Sequence, residues 1–240
     1  MAARDAGSGT VDEDRAGRTG RRGQRLNRNR LLETALHIVD QHGVDALTMR
    51  RIATELQVDP MTIYRHVKNK DALLDGVVEQ LWSQVWPQGP DSEEWKAVLS
   101  HLGRGLRDVM MRHPSAGPLL LSRPVLPGSA LVVLKHALDV VKDAGFTEQE
   151  AATIVRCVSS VALSDSALRV TYELPQRPHN ASGEPDPEQL ISLTQLLPPD
   201  TPPDLVRVAW TICPPLETDD DFGFTLDLIV AGAEHLRNRA

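Results

Sequence analysis

Between Leu47 and Lys70 the chain reads LTMRRIATELQVDPMTIYRHVKNK, a short stretch that gathers Arg50, Thr62, Tyr64, Arg65, His66 and Lys70. These side chains form no nucleophile–base pair and no metal-ligand spacing. They supply cations, a hydroxyl, a phenol and an imidazole. Guanidinium and ammonium groups meet phosphate oxygens, while hydroxyl, imidazole and apolar groups meet base edges in a groove. The chemistry indicated is non-covalent reading of duplex DNA.

Two short helices must present those groups. Thr48 is a candidate N-cap, and Met49, Ile52, Ala53 and Leu56 follow at i, i+3, i+4, i+7 spacing, so they share one face opposite Arg50, Arg51 and Glu55. The chain turns through Gln57, Val58 and Asp59. Asp59 before Pro60 pairs an N-cap acceptor with a first-turn proline that has no N–H to leave unsatisfied, so a second helix starts at Pro60. Ile63 and Val67, four apart, plug into the first helix and leave Met61, Thr62, Tyr64, Arg65 and His66 on the remaining surface. Lys68 and Lys70 close the segment. Tyr64 on its own reads more readily as a half-buried core residue; the combination favours the DNA reading.

The order of residues from about Asn27 to Trp82 resembles the tetracycline-repressor family of one-component regulators, most specifically in Thr-Ile-Tyr-Arg-His-Val-Lys-Asn-Lys at 62–70 followed by Asp71-Ala72-Leu73-Leu74-Asp75. The resemblance implies an all-α protein: a three-helix helix-turn-helix DNA-binding domain plus a larger helical ligand-binding and dimerisation domain. It places Arg50, Pro60, Met61, Thr62, Tyr64, Arg65, His66 and Lys70 at positions that face DNA. Gln57 departs from the glycine usual in the family's turn.

Charge agrees. Residues 15–70 carry 12 Lys and Arg against 5 Asp and Glu, a balance of +7 in a chain of net charge −7, so the remainder sums to −14. A basic head on an acidic body suits local phosphate attraction, which decays over about 8 Å at physiological salt. Residues 1–23 have no apolar periodicity and are expected to be a disordered basic extension, serving either as an arm on DNA or as a solubilising tail. They contain no apolar signal region, and the chain has no long apolar run. The two cysteines, Cys157 and Cys213, are too few for a disulfide framework, and Cys157 reads as a small buried hydrophobe. A cytoplasmic location is expected. No G-x-S-x-G, H-E-x-x-H, C-x-x-C or phosphate-binding glycine loop is present, and His136 with Asp139 is no more than a solvated helix pair, so no enzyme is expected.

The reading domain is expected at 24–70 and the helical body at 71–240. One helix runs from about Asn27 to His42 and stops at Gly43. A connector capped by Asn69 carries Leu73, Leu74, Val77, Val78, Leu81, Trp82 and Val85. Further helices are expected at 91–111 and 129–143, at 147–170 behind the capping box Thr147–Glu150, at 204–211 and at 219–238. Eight prolines within 174–203 predict a mobile loop, with at most a helical turn near 189–197.

The helices at 147–170 and 219–238 present small and branched residues (Ala151, Ile154, Val155, Val158, Val161, Ala162, Ile229, Ala233) that serve either as intramolecular core or, as the resemblance implies, as a homodimer bundle. A homodimer reads a palindromic operator. In the tetracycline-responsive members a magnesium–drug chelate is held by polar ligands; counting from the shared motifs, those places hold Trp86, Leu102, Leu106, Leu119 or Leu120, Ala137 and Leu168. None donates a lone pair suited to a hard cation, so no metal and no cofactor are expected. What remains is an apolar or aromatic effector site bounded by Trp86, Leu102, Leu106, Leu120, His136 and Leu168, with Trp210 and Phe222 nearby and His113, Ser122 or Arg123 available for polar contacts. The reading is a ligand-responsive repressor; a DNA-binding scaffold controlled by a protein partner stays open.

Overall fold

The computed structural model describes residues 26–88, 94–123, 126–171, 197–212 and 219–238. The regular elements among them are helical. Three short helices come first, α1 (Arg28–His42), α2 (Met49–Glu55) and α3 (Pro60–Tyr64), with a 3-10 turn at Val44–Ala46 that the sequence pattern did not announce. Then follow α4 (Lys70–Val85), α5 (Trp95–Arg112), α6 (Leu119–Ser122), α7 (Gly128–Asp143), α8 (Glu148–Thr171), α9 (Pro203–Ile212) and α10 (Asp219–Arg237).

The caps expected at Thr48, Asp59 and Asn69 are in place, and Asn27 caps α1 as well. Asn27 accepts from the Arg30 amide, Thr48 from that of Arg51, Asp59 from that of Met61 and Asn69 from that of Ala72. Each satisfies an amide that has no partner inside its helix, worth about 1 kcal/mol. At the start of α8 the Thr147 amide donates to Glu150 Oε2 at 2.8 Å, and the Glu150 amide donates to Thr147 Oγ1 at 3.3 Å. This closed box holds the Glu150 carboxyl below its ordinary range, chiefly through the Thr147 hydroxyl.

Packing places α4 at the centre of the molecule. Its inner face (Leu73, Leu74, Val77, Val78, Leu81, Trp82, Val85) is buried, as the spacing predicts. It packs on α1, α5 and α7. Two glycines allow these approaches. A Cβ on Gly76 would run into Leu32 of α1, and one on Gly105 of α5 would run into the Val85 carbonyl oxygen. α5 is the spine of the body, packed on α8, α4, α7 and α10, with Leu99, Leu102 and Leu106 fully buried.

Several expectations need correction. The helix expected at 91–111 begins at Trp95, where Glu94 caps the Ala97 amide. The four-residue α6 had no periodicity long enough to reveal it. Cys157 is exposed, because α8 turns Ala151, Val155, Val158 and Ala162 inward and carries Cys157 outward beside Arg156 and Ser160. Those inward residues, with Ala233, fill the core of one subunit, so the intramolecular reading of the stripe holds for them. On α10 the buried line is Phe222, Leu226, Val230 and Ala233, while Leu236 is exposed. The extension at 1–23 and most of the proline-rich 174–203 segment, with the turn expected near 189–197, lie outside the described residues.

Gln57 takes the left-handed conformation, φ 55°, at the turn between α2 and α3. The Val58 amide closes that turn onto the Ala53 carbonyl at 2.9 Å. A side chain with a Cβ is strained there by roughly 1 kcal/mol. Gln57→Gly is expected to raise the chemical-denaturation midpoint by the equivalent of about 0.5–1 kcal/mol, and Gln57→Val to lower it; equal midpoints for all three proteins would remove the strain from the account.

Candidate nucleic-acid interface and effector site

Burial of Ile52, Ala53, Leu56, Ile63 and Val67 locks α2 against α1 and α3 against α2, and so decides which side chains face outward. Met61 is 69% exposed and Tyr64 49% exposed. Tyr64 thus lies outside the core. Arg50, Pro60 and Arg65 are exposed, and Thr62, His66 and Lys70 are partly so. All eight residues expected to face DNA are therefore exposed or partly exposed.

Arg50, Arg51, Arg65, Lys68 and Lys70 form no ion pair with any acidic group among the described residues. Several cations elsewhere are engaged: Arg28 with Glu79 at 2.8 Å, Arg123 with Asp75 at 2.6 Å and Lys96 with Glu234 at 2.6 Å. A cluster of unneutralised cations around an exposed methionine and tyrosine is chemically fit for phosphates flanking base edges. The apolar groups suit a thymine methyl or a sugar.

The second site lies where α4 ends. Trp86, the residue after α4, has its ring centroid 5.2 Å from that of His101 on α5 and 5.2 Å from that of His136 on α7, the latter edge-on at 86°. The indole Nε1 of Trp86 is buried and has no hydrogen-bond partner. A buried donor without an acceptor costs about 1–3 kcal/mol, which an incoming acceptor would recover. Of the sequence-derived residues, Trp86 and His136 are brought together. Leu102 and Leu106 are fully buried in the core and Leu120 is partly buried, while the side chains of Leu168 and Trp210 lie outside the described residues. His101 was missed: it sits beside Leu102 in an apolar helical pattern where nothing local distinguishes it.

Three polar candidates go elsewhere. His113 contacts Asp40 and Gln84, Arg123 contacts Asp71 and Asp75, and Ser122 is exposed. Asp139 engages Lys135, which holds its carboxyl below the usual range, so the His136–Asp139 spacing carries no chemistry. Phe222 instead lies under the Arg107 guanidinium, 5.0 Å from ring to carbon. Among the described residues no group of three or more His, Cys, Asp or Glu stands together as a metal site.

Comparison with known proteins agrees with both halves. Residues 31–77 match the family of bacterial regulatory proteins called the tetR family, and residues 87–237 match the tetracyclin repressor-like C-terminal domain. The chain is 28% identical over 228 residues to the HTH-type transcriptional repressor DrrR1 of Streptomyces coeruleorubidus, covering 91% of this chain and 83% of that protein. It superposes on the Streptomyces coelicolor TetR family protein ActR in complex with actinorhodin with a TM-score of 0.69 at 26% identity, over 88% of this chain and 98% of that one. BioQ with its double-stranded DNA operator gives a TM-score of 0.52 at 26% identity, over 61% of this chain and 88% of that one.

Thr62→Ala and Tyr64→Ala are each expected to weaken binding to a selected duplex by about tenfold, the scale of one base contact, without changing the melting temperature. Fluorescence anisotropy at fixed salt measures this, and unchanged affinity would remove both side chains from the interface.

Proposed function

Because the chain belongs to the TetR family of bacterial regulatory proteins, we propose that it represses transcription by binding a palindromic operator as a homodimer and leaves the operator when a small aromatic effector binds beside Trp86. It is a DNA-binding regulator and not an enzyme. The observation that carries the DNA half is the unneutralised cluster Arg50, Arg51, Arg65, Lys68 and Lys70 around Met61, Thr62 and Tyr64. In this reading α3 enters the major groove, Arg50, Pro60, Arg65, His66 and Lys70 flank it, and 24–70 is the reading domain carried by a body at 71–240.

Geometry supports dimerisation. One unit of this size spans only a few base pairs, and two units related by a twofold axis reach half-sites roughly 34–36 Å apart. Phe224 and Leu228 on α10, 65% and 58% exposed, form the apolar surface that favours self-association together with the outward face of α8. In that arrangement Cys157 lies at the subunit boundary. Phe224→Asp is expected to yield monomers at micromolar concentration by analytical ultracentrifugation, with operator affinity lowered at least tenfold. A dimeric variant would move the interface elsewhere.

The effector half rests on Trp86, whose indole is flanked by two imidazoles and holds an unsatisfied donor. A planar aromatic molecule with a carbonyl or hydroxyl oxygen matches that chemistry, and the group offers no oxygen donor suited to a hard cation. Similarity to the ActR complex supports the same class. An effector there pushes on the end of α4, whose Val85 carbonyl lies against Gly105, and so changes the angle of the head. It need only bind the DNA-incompetent state more tightly, by about 1.4 kcal/mol for each tenfold loss of occupancy. Action on chromosomal DNA places the protein in the cytoplasm, and no helix among the described residues is long and apolar enough to cross a membrane. With actinorhodin as probe, quenching of tryptophan fluorescence and release of operator are expected in the native protein. Trp86→Phe is expected to require at least fivefold more probe, and identical titration curves would exclude Trp86 from the site.

A further inference from the structure

The stretch from the end of α5 to the end of α6 is part of the body, yet a side chain at each end reaches back toward the reading head. His113, immediately after α5, has Nδ1 2.7 Å from Asp40 Oδ2 on α1 and Nε2 3.0 Å from Gln84 Oε1 in the last turn of α4. Gln84 Oε1 also accepts from Arg112 Nη1 at 2.9 Å, and the Ser115 hydroxyl donates to the Asp40 carbonyl at 3.4 Å. At the other end Arg123, immediately after α6, donates through Nε to Asp75 Oδ1 at 2.6 Å. Its Nη1 lies 3.5 Å from Asp71 Oδ1, and its Nη2 donates to the Asp71 carbonyl at 3.3 Å. Asp71 and Asp75 lie on successive turns of α4, and Asp71 directly follows Lys70 of the reading segment.

Between the two handles the chain is stiff. The Ala116 and Gly117 amides both donate to the His113 carbonyl, at 3.1 and 2.6 Å, and Ala116 and Leu119 are buried. A Cβ on Gly117 would press on Met110 and on the His113 carbonyl. A rigid bar held at both ends transmits displacement, whereas a slack loop absorbs it.

We propose that residues 113–123 form a two-point clamp that positions the reading head, with His113 holding α1 and Arg123 holding the first turns of α4 directly behind α3. The clamp rests on the reading of the head as a DNA-binding unit. Arg123 is the discriminating residue, because its planar fork meets a carboxylate one turn away and both a carboxylate and a backbone carbonyl nearer the head. A lysine offers one point charge and cannot reproduce that pattern. Its side chain is 19% exposed against 37% for Asp75 and 78% for Asp71, so the Asp75 contact is the better shielded and dominates.

The test uses the full-length protein with Arg123→Gln, Arg123→Lys, Asp75→Asn and the Arg123→Gln/Asp75→Asn double variant; Lys135→Gln is the control for loss of one positive charge. Amide hydrogen exchange without DNA is expected to rise in residues 70–76 in each single variant and to stay unchanged in α8. Affinity for a duplex selected with the native protein is expected to fall about fivefold in Arg123→Gln, less in Arg123→Lys, no further in the double variant than in the singles, and not at all in Lys135→Gln. Unchanged exchange at 70–76, or raised exchange with native affinity, overturns the clamp. If the native protein selects no duplex, the DNA-binding reading falls, and the exchange measurement, which involves no DNA, decides the clamp by itself.

Discussion

Helix α4 is buried against α1, α5 and α7 at once, and the rest of the molecule depends on that shared burial. Leu73 and Leu74, Val77 and Val78, and Leu81 with Trp82 and Val85 leave almost no apolar surface of the helix in solvent. Full burial of such side chains is worth about 1.5–3 kcal/mol each before chain entropy, far more than helix propensity or any surface ion pair in the same region. The consequence is mechanical. With Gly76 pressed on Leu32 midway along the helix and Gly105 on the Val85 carbonyl at its C-terminal end, α4 cannot shift against one neighbour without disturbing its fit to the other.

Around that shared rod the charges divide in a way that packing alone does not require. Acidic residues of α4 neutralise the cations at the junction, as in Arg28–Glu79 and Arg123–Asp75. Ion pairs of this exposure add little stability, so their value lies in fixing geometry. On the outer face of α2 and α3, Arg50, Arg65, Lys68 and Lys70 form no ion pair among the described residues, although Glu55 also stands on α2. The net negative body and positive head follow from the same division, and orient the molecule toward a polyanion before contact.

Much of this was legible in the sequence, because the signals were local. Thr48, Asp59–Pro60, Asn69 and the Thr147–Glu150 box each act within one turn, so the helix starts they mark were readable to within a residue. The inward faces of α2, α3 and α4 follow from spacing alone. The failures share a cause as well. Cys157 sits among apolar neighbours and its orientation depends on which face of α8 meets α5; α6 is too short for any period; His101 becomes notable only when folding brings it to Trp86. His113 and Arg123 read as effector contacts by type, and only tertiary placement assigns them to Asp40, Gln84, Asp71 and Asp75. Gln57, where the family usually has glycine, keeps the turn in its left-handed form, so the motif tolerates the departure.

The central claim is sequence-specific reading of DNA by the face that Met61, Thr62 and Tyr64 share. The most direct measurement is selection of bound sequences from random duplex DNA with the purified full-length protein at a fixed, stated salt concentration. The account predicts enrichment of one palindrome whose half-sites lie about one helical turn apart. Recovery of unenriched sequence, with binding that merely decays as salt rises, would contradict it and leave only general attraction between a basic head and phosphate.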